Sequence, residues 1–198
     1  MKSRVQNSEF CYRAVARIHT KSITSGFLSL LGEDFLTLLY RAIDRDPHSV
    51  LIIERKNTEI IGFVAGGIGM KSIIRELLKD WVQLIRVLLP CFLKLSLLRK
   101  CFDLIWLAVR GKPIGNVPSA ELLSIAVDSD SRRGGVGMRL YQSLKTHFCV
   151  EGHNAFCIVV GDTLEGAHQF YLKAGAEKVG KIVVHEGDQS VVYQQVLF

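Results

Sequence analysis

Chemistry-bearing residues gather in two stretches of this 198-residue chain. The first is Arg132-Arg133-Gly134-Gly135-Val136-Gly137-Met138, where an apolar run gives way to a helical pattern. Glycines let the backbone curl so that several N–H groups converge. The helix that follows adds its positive N-terminal end, and the two arginines add full charge. This combination is suited to holding phosphate. Two well-known phosphate motifs fail on spacing: a dinucleotide-binding turn needs glycine where Leu140 stands, and a P-loop needs Gly-Lys-Ser/Thr where Gly137-Met138-Arg139 stands. The second stretch, Ala167-His-Gln-Phe170-Tyr171-Leu-Lys173-Ala-Gly175, offers a phenol.

These residues need elements to place them. Phe10 to Asp46 reads as two helical segments, with Ala14, Ile18 and Ile23 on one side of the first and a break containing Gly26 and Gly32 between them. Val50-Leu-Ile-Ile-Glu and Ile60-Ile-Gly-Phe-Val-Ala read as a hairpin around Lys56-Asn57-Thr58, ended by Gly66, Gly67 and Gly69. A strand is expected from Glu121 to Val127, a helix from the glycine loop to about Val150, and a strand around Ala155 to Val160. A helix over Glu165–Lys173 and two closing strands around a Glu186-Gly187-Asp188 turn complete the pattern. The alternation predicts an α/β fold with a mixed central sheet and flanking helices, in one domain over residues 1–198.

Residues 71–112 form a basic amphipathic helical insertion in this reading. Apolar residues recur from Ile74 through Leu77, Leu78, Trp81, Leu84, Ile85 and Leu88, and Pro90 is expected to break or kink the helix. A second apolar pattern runs from Phe92 to Val109. The insertion carries nine Lys/Arg against three Asp/Glu, which accounts for the whole net charge of +6. No uncharged run reaches the ~18 residues of a membrane span. The insertion is open to three readings: an amphipathic cover with solvated charges, a peripheral membrane contact, or a homodimer surface. Nucleic acid is disfavoured, because the positive residues are interleaved with large apolar ones and no aromatic stacking platform accompanies them.

With 48% hydrophobic and 22% charged residues the chain is not disordered, and about 70% of its unfolded surface can be buried without metal or disulfide. Five cysteines without Cys-x-x-Cys fit a reducing cytoplasm, and the first ten residues carry no apolar run of a secretory signal. Cys149 and His153 are four apart, but two ligands make no metal site, and none is expected.

The loop resembles that of the GNAT superfamily of acyl-CoA-dependent N-acyltransferases, whose pyrophosphate loop reads Arg/Gln-x-x-Gly-x-Gly/Ala. The preceding Leu123-Ser-Ile-Ala-Val-Asp and the later Ala167…Gly175 stretch are similar to further family elements. Two positions depart: Leu164 replaces an asparagine that contacts the CoA arm, and Ala176 replaces a phenylalanine. The resemblance implies acetyl-CoA as cosubstrate. It implies that the backbone of Ile125, Ala126 and Val127 meets the acyl carbonyl and pantetheine. The amides from Arg132 to Met138 would hold the pyrophosphate, with Ala167, Phe170, Tyr171 and Lys173 in the second CoA-binding element. Tyr171 matches the family's tyrosine near the CoA sulfur and is a candidate general acid; the alternative is an aromatic packed beside Phe170. For the base, Glu121 working through water and His19 in the first helix are rivals. A solvated strand-end Glu, a structural His and direct loss of the proton to water stay open beside them.

The expected reaction is direct attack, in a ternary complex, of a small-molecule primary amine on acetyl-CoA. The pattern Ile18-His19…Gly26-Phe27-Leu-Ser-Leu-Leu-Gly32…Phe35-Leu…Leu39-Tyr40 is similar to GNAT proteins of bacterial surface-polysaccharide gene clusters. It points to the amine of a nucleotide- or lipid-linked, hence phosphate-bearing, amino sugar. Leu122–Asp128 also resembles ribosomal-protein N-acetyltransferases, so a protein amine is the alternative, and a non-catalytic, membrane-docked CoA-binding module is a third reading. The expected location is the cytoplasm, or the periphery of the membrane's inner face.

Overall fold

The computed structural model describes residues 8–23, 27–92, 117–185 and 188–197. In chain order these form α1 (Glu9–Ser22), α2 (Phe27–Leu30), α3 (Gly32–Arg45), β1 (Ser49–Lys56), β2 (Glu59–Ile68), α4 (Met70–Lys79) and α5 (Trp81–Phe92). There follow β3 (Ala120–Val127), a 3₁₀ turn (Ser129–Ser131), α6 (Val136–Val150), β4 (Ala155–Gly161), α7 (Glu165–Lys173), β5 (Glu177–His185) and β6 (Asp188–Val196). The strands build one six-stranded sheet in the order β1-β2-β3-β4-β6-β5. Only β3 and β4 pair in parallel; every other neighbour is antiparallel. The α/β expectation is met.

Each face of the sheet has its own core. On one face α1 and α3 pack with Phe63, Ala65 and Ala126, and α4 adds Ile73 and Leu77. On the other, α6 lays Val136, Leu140, Leu144 and Phe148 against Ile61, Val64 and Leu122, with Tyr171 of α7 alongside. Those four α6 residues recur every fourth position, a single helical stripe. The stripe meets a track of glycine on β2: a Cβ at Gly62 would stand 3.1 Å from Leu140 and 3.2 Å from Val136, and one at Gly66 would stand 2.7 Å from Leu144 and 2.9 Å from Phe148. The helix therefore beds on bare strand backbone.

Three expectations shift at this level. Gly66 and Gly67 do not end the strand but lie inside it, under α6 and against Ser49; Gly69, at φ 73°, is the actual stop. On α1 the buried side is Cys11, Tyr12, Val15, Ala16, Ile18 and His19, while Ala14 faces a cleft. The helix break expected at Pro90 comes at Asp80 instead. The Asp80 carboxylate accepts from Arg41 at 3.3 Å and from Arg45 at 3.0 Å, which anchors the corner to α3. Asp80 N–H bonds back three residues to Leu77 C=O, tightening and closing α4. Residues 93–112 of the expected insertion, and Glu186-Gly187 of the closing turn, lie outside the described residues.

Gly66→Ala forces a methyl into the sealed Leu144–Phe148 contact. It should cost about 1–3 kcal/mol by overpacking and lower Tm by several degrees, measured by urea and thermal unfolding.

Candidate active site

The site begins where two strands separate. β3 and β4 share only Glu121↔Cys157 and Leu122↔Ile158 before their ladder stops. At the same point β3 bulges: Ala65 faces Ser124 and Gly66 faces Leu122, so Leu123 is the extra residue. Asp128 N–H donates to Ile61 C=O at 2.9 Å. By strand alternation Ala126 then turns its backbone toward β2, whereas Ile125 and Val127 turn theirs into the gap. The Val127 carbonyl accepts from Ser22 Oγ at 3.2 Å and from Arg132 Nε at 3.5 Å. Ile125 thus leaves an N–H and a C=O on the open edge, a backbone pair that an amide-bearing chain can match.

The Arg132–Met138 loop closes one end of this gap. Its left-handed positions are Arg133 (φ 69°) and Gly135 (φ 71°); Gly134 and Gly137 have ordinary φ. The reading of three glycines as the flexible element therefore narrows to one glycine and one arginine. Gly135 caps α6 without a side-chain cap, no acidic residue stands in the first turn, and the first in-helix bond runs from Arg139 N–H to Gly135 C=O. The amides of Val136, Gly137 and Met138 consequently have no helical acceptor. Arg132 and Arg133 are exposed beside them. Arg139 braces the loop by donating to Gly134 C=O at 2.9 Å and to Glu54 at 2.9 Å. Gly137 faces the Phe170 ring, which would stand 3.5 Å from a Cβ there. Free amides, positive charge and an open strand edge fit a phosphorylated amide such as CoA.

Tyr171 is 5% exposed among Tyr141, Phe170 and Tyr193, with ring centroids 5.9, 5.2 and 6.3 Å away. Burial raises its pKa, so the phenol keeps its proton. Ala167 and Phe170 pack on the same core, and Lys173 is exposed on the last turn of α7. Leu164 occupies the N-cap of α7 without a side-chain cap, and Ala176 is buried.

Glu121 is half-buried. Its neighbour Leu122 belongs to the α6 core, so Glu121 faces the α1/α3 side; the bulge then puts Leu123 and Ser124 on that side too. His19 is 3% exposed, stacked on Phe63 at 6.4 Å and 2.6 Å from Tyr40 Oη. Burial lowers its pKa from 6.5 to about 4, so it is neutral near pH 7. The structure unites Tyr171, Phe170 and the loop on one face, and Glu121 with His19's element on the other.

Two groups escaped the sequence reading. His168 donates from Nε2 to Gly161 C=O at 3.1 Å and accepts at Nδ1 from Tyr193 Oη at 2.8 Å, pinning α7 to β4 and β6. Its position three residues before Tyr171 was the available signal. Ser124, which bonds Tyr40 at 2.9 Å, is the lone hydroxyl in Leu-Leu-Ser-Ile-Ala-Val. A cleft of about 560 Å³ lies between α1, the start of β2 and the 3₁₀ turn. His153 packs edge-on to Phe148 at 5.7 Å. Among the described residues no three His, Cys, Asp or Glu could share a metal. No helix among them is long and apolar enough to cross a membrane.

The sheet order, the parted strands and the loop define an acyl-CoA-binding acetyltransferase fold, and comparison with known proteins agrees. The profile of the acetyltransferase (GNAT) family matches residues 14–176, so the chain belongs to that family of acyl-CoA-dependent N-acetyltransferases and takes acetyl-CoA as cosubstrate. Among solved structures it is similar to an N-acetyltransferase from Staphylococcus aureus (TM-score 0.63, 13% identity, covering 97% of this chain and 96% of that one). It is similar to an aminoglycoside 6′-N-acetyltransferase complexed with coenzyme A (0.59, 12%, 98% and 94%). It also resembles a ribosomal-protein alanine N-acetyltransferase from Escherichia coli (0.58, 11%, 97% and 91%). Comparison with curated protein sequences finds no match.

The buried His19 gives a pH test. Its folded pKa lies below its unfolded one, so the unfolded chain binds the extra proton between pH 4 and 6.5 and stability falls as pH drops through that window. The loss from this residue is about 3 kcal/mol. Urea unfolding of His19→Gln against pH should lack that component.

Proposed function

We propose that this enzyme acetylates a primary amine on a nucleotide- or lipid-linked amino sugar by direct attack in a ternary complex. The observation that carries the chemistry is the gap between β3 and β4, with the free amides of α6 at one end; Tyr171, packed on the α6 face beside Phe170, is the acid in this reading. Acetyl-CoA supplies a thioester carbonyl and a thiolate leaving group. The α6 amides from Val136 to Met138, with Arg132 and Arg133, hold its pyrophosphate; the Ile125 backbone takes the pantetheine amide and polarises the carbonyl. Tyr171 holds a proton at Oη for the departing sulfur, and its raised pKa keeps that proton in place at neutral pH. Glu121 is the more accessible of the two base candidates and receives the amine proton through water. His19, sealed and weakly basic, does not touch the acceptor in this scheme.

The sugar assignment rests on the α1–α3 sequence pattern, and a phosphate-bearing acceptor suits the basic helices beside it. The runner-up is a protein or peptide amine, which the likeness of Leu122–Asp128 to ribosomal-protein acetyltransferases favours. Thiol release from acetyl-CoA should be measured with UDP-glucosamine, kanamycin and a basic peptide with a free α-amine. Release with UDP-glucosamine above the others supports the proposal; release with the peptide alone replaces it by the runner-up. Tyr171→Phe should lower kcat about 10²–10⁴-fold while acetyl-CoA affinity stays within about twofold, and unchanged turnover removes Tyr171 as the acid.

A peripheral membrane contact is part of the proposal. Leu78, Trp81, Val82, Ile85 and Leu89 of α4–α5 are exposed, interleaved with Lys71, Arg75, Lys79 and Arg86. Apolar side chains among cations suit an anionic bilayer surface. Trp81→Ser/Ile85→Ser should weaken co-sedimentation with phosphatidylglycerol vesicles several-fold. Equal sedimentation, with a concentration-dependent dimer instead, would assign the face to self-association.

A further inference from the structure

On the α1/α3 side of β3, three side chains from distant parts of the sequence form an unbroken hydrogen-bonded chain. His19 Nδ1 lies 2.6 Å from Tyr40 Oη, and Tyr40 Oη lies 2.9 Å from Ser124 Oγ. The inner two members are sealed, at 3% and 1% exposure, whereas Ser124 is half-buried. One end of the chain is therefore closed and the other open. The open end falls directly after the bulge at Leu123, where the β3–β4 ladder has just stopped.

Relative acidity and proton counting assign the chain a direction that the distances alone leave open. A phenol O–H is a much stronger acid than an imidazole N–H, so the short bond at the closed end is O–H···N, with Tyr40 donating to neutral His19. Tyr40 has one proton and it is used there. Its remaining capacity toward Ser124 is as acceptor, so the Ser124 hydroxyl donates inward. Both Ser124 lone pairs are then left for the open side, with no proton to offer outward. A serine without these partners would rotate and present donor or acceptor indifferently.

We propose that Ser124 Oγ, fixed as a pure hydrogen-bond acceptor by Tyr40 and His19, receives an N–H of the amine to be acetylated and aims its lone pair at the thioester. This rests on the acetyltransferase reading above. Tyr40 and His19 are positioning residues and take no proton: charging a sealed imidazole with a pKa of about 4 cannot compete for the proton of an alkylammonium. The attacking nitrogen forms the N–C bond, the C–S bond breaks, the surplus ammonium proton leaves through water to Glu121, and the thiolate is protonated by Tyr171.

Two measurements on the full chain decide it. Nitrogen-15 NMR of histidine-labelled protein should find His19 protonated at Nε2 and accepting at Nδ1, with the Nδ1 resonance moving in Tyr40→Phe. An Nδ1–H tautomer overturns the polarity, whatever the protein acetylates. In acetyl transfer to UDP-glucosamine, kanamycin and the basic peptide, Ser124→Ala should lower kcat/KM for the accepted amine about tenfold to a hundredfold, the worth of one hydrogen bond to a charged group. Ser124→Thr should stay within about threefold, and acetyl-CoA affinity should not change. Tyr40→Phe should lose as much as Ser124→Ala, and the double variant no more than either, as expected of residues acting as a unit. Full activity in Ser124→Ala, with wild-type transfer present, overturns the role of Ser124 alone. Absence of wild-type transfer to all three amines overturns the proposed acceptor classes and, with them, this role of Ser124.

Discussion

The parting of β3 from β4 after Leu122↔Ile158 is the constraint on which the rest of the molecule depends. A parallel pair in the middle of a six-stranded sheet would ordinarily continue its ladder, since buried backbone groups need partners. Here the bulge at Leu123 redirects β3, and β4 turns instead to β6, with which it pairs along its whole length from Ala155 to Gly161. In the proposed CoA site the open edge at Ile125 meets a ligand that brings its own amides. On that proposal a strand defect and a binding site are the same feature.

The gap needs a charged end, and the glycine track of β2 supplies it indirectly. Gly62 and Gly66 admit the Val136–Leu140–Leu144–Phe148 stripe onto strand backbone, which fixes both the line and the height of α6. Its uncapped first turn is thereby held at the C-terminal end of β3. The left-handed Arg133 and Gly135 connect the two within a few residues, and Arg139 locks that geometry to Glu54 on β1. On the proposed reading, anion recognition is built from packing on the opposite side of the helix from the ligand.

Much of this was legible from residue order. The strand–loop–helix at Arg132–Met138, the α/β alternation and the hairpin could be read because turn chemistry and periodicity are local. Gly66 and Gly67 read as strand ends in the sequence, because a glycine that ends a strand and one that admits a helix look alike until the partner is known. Asp80 rather than Pro90 broke the insertion's helix because its carboxylate is held by Arg41 and Arg45, some 35 residues earlier in the chain. A proline's effect is written in its own ring; an ion pair's is not. His19 was legible as a polar residue on an apolar face. Its partners Tyr40 and Ser124 were not, since only the sheet brings them together.

The central claim is that the β3–β4 gap and the first turn of α6 form one CoA site. Titration of nitrogen-15-labelled protein with CoA, followed by amide chemical shifts, tests it most directly. The account predicts saturable shifts at Ile125 on β3 and at Val136, Gly137 and Met138 on α6, with the same apparent Kd. Shifts confined to the cleft between α1 and the start of β2, with Ile125 and the α6 amides unmoved, would contradict it.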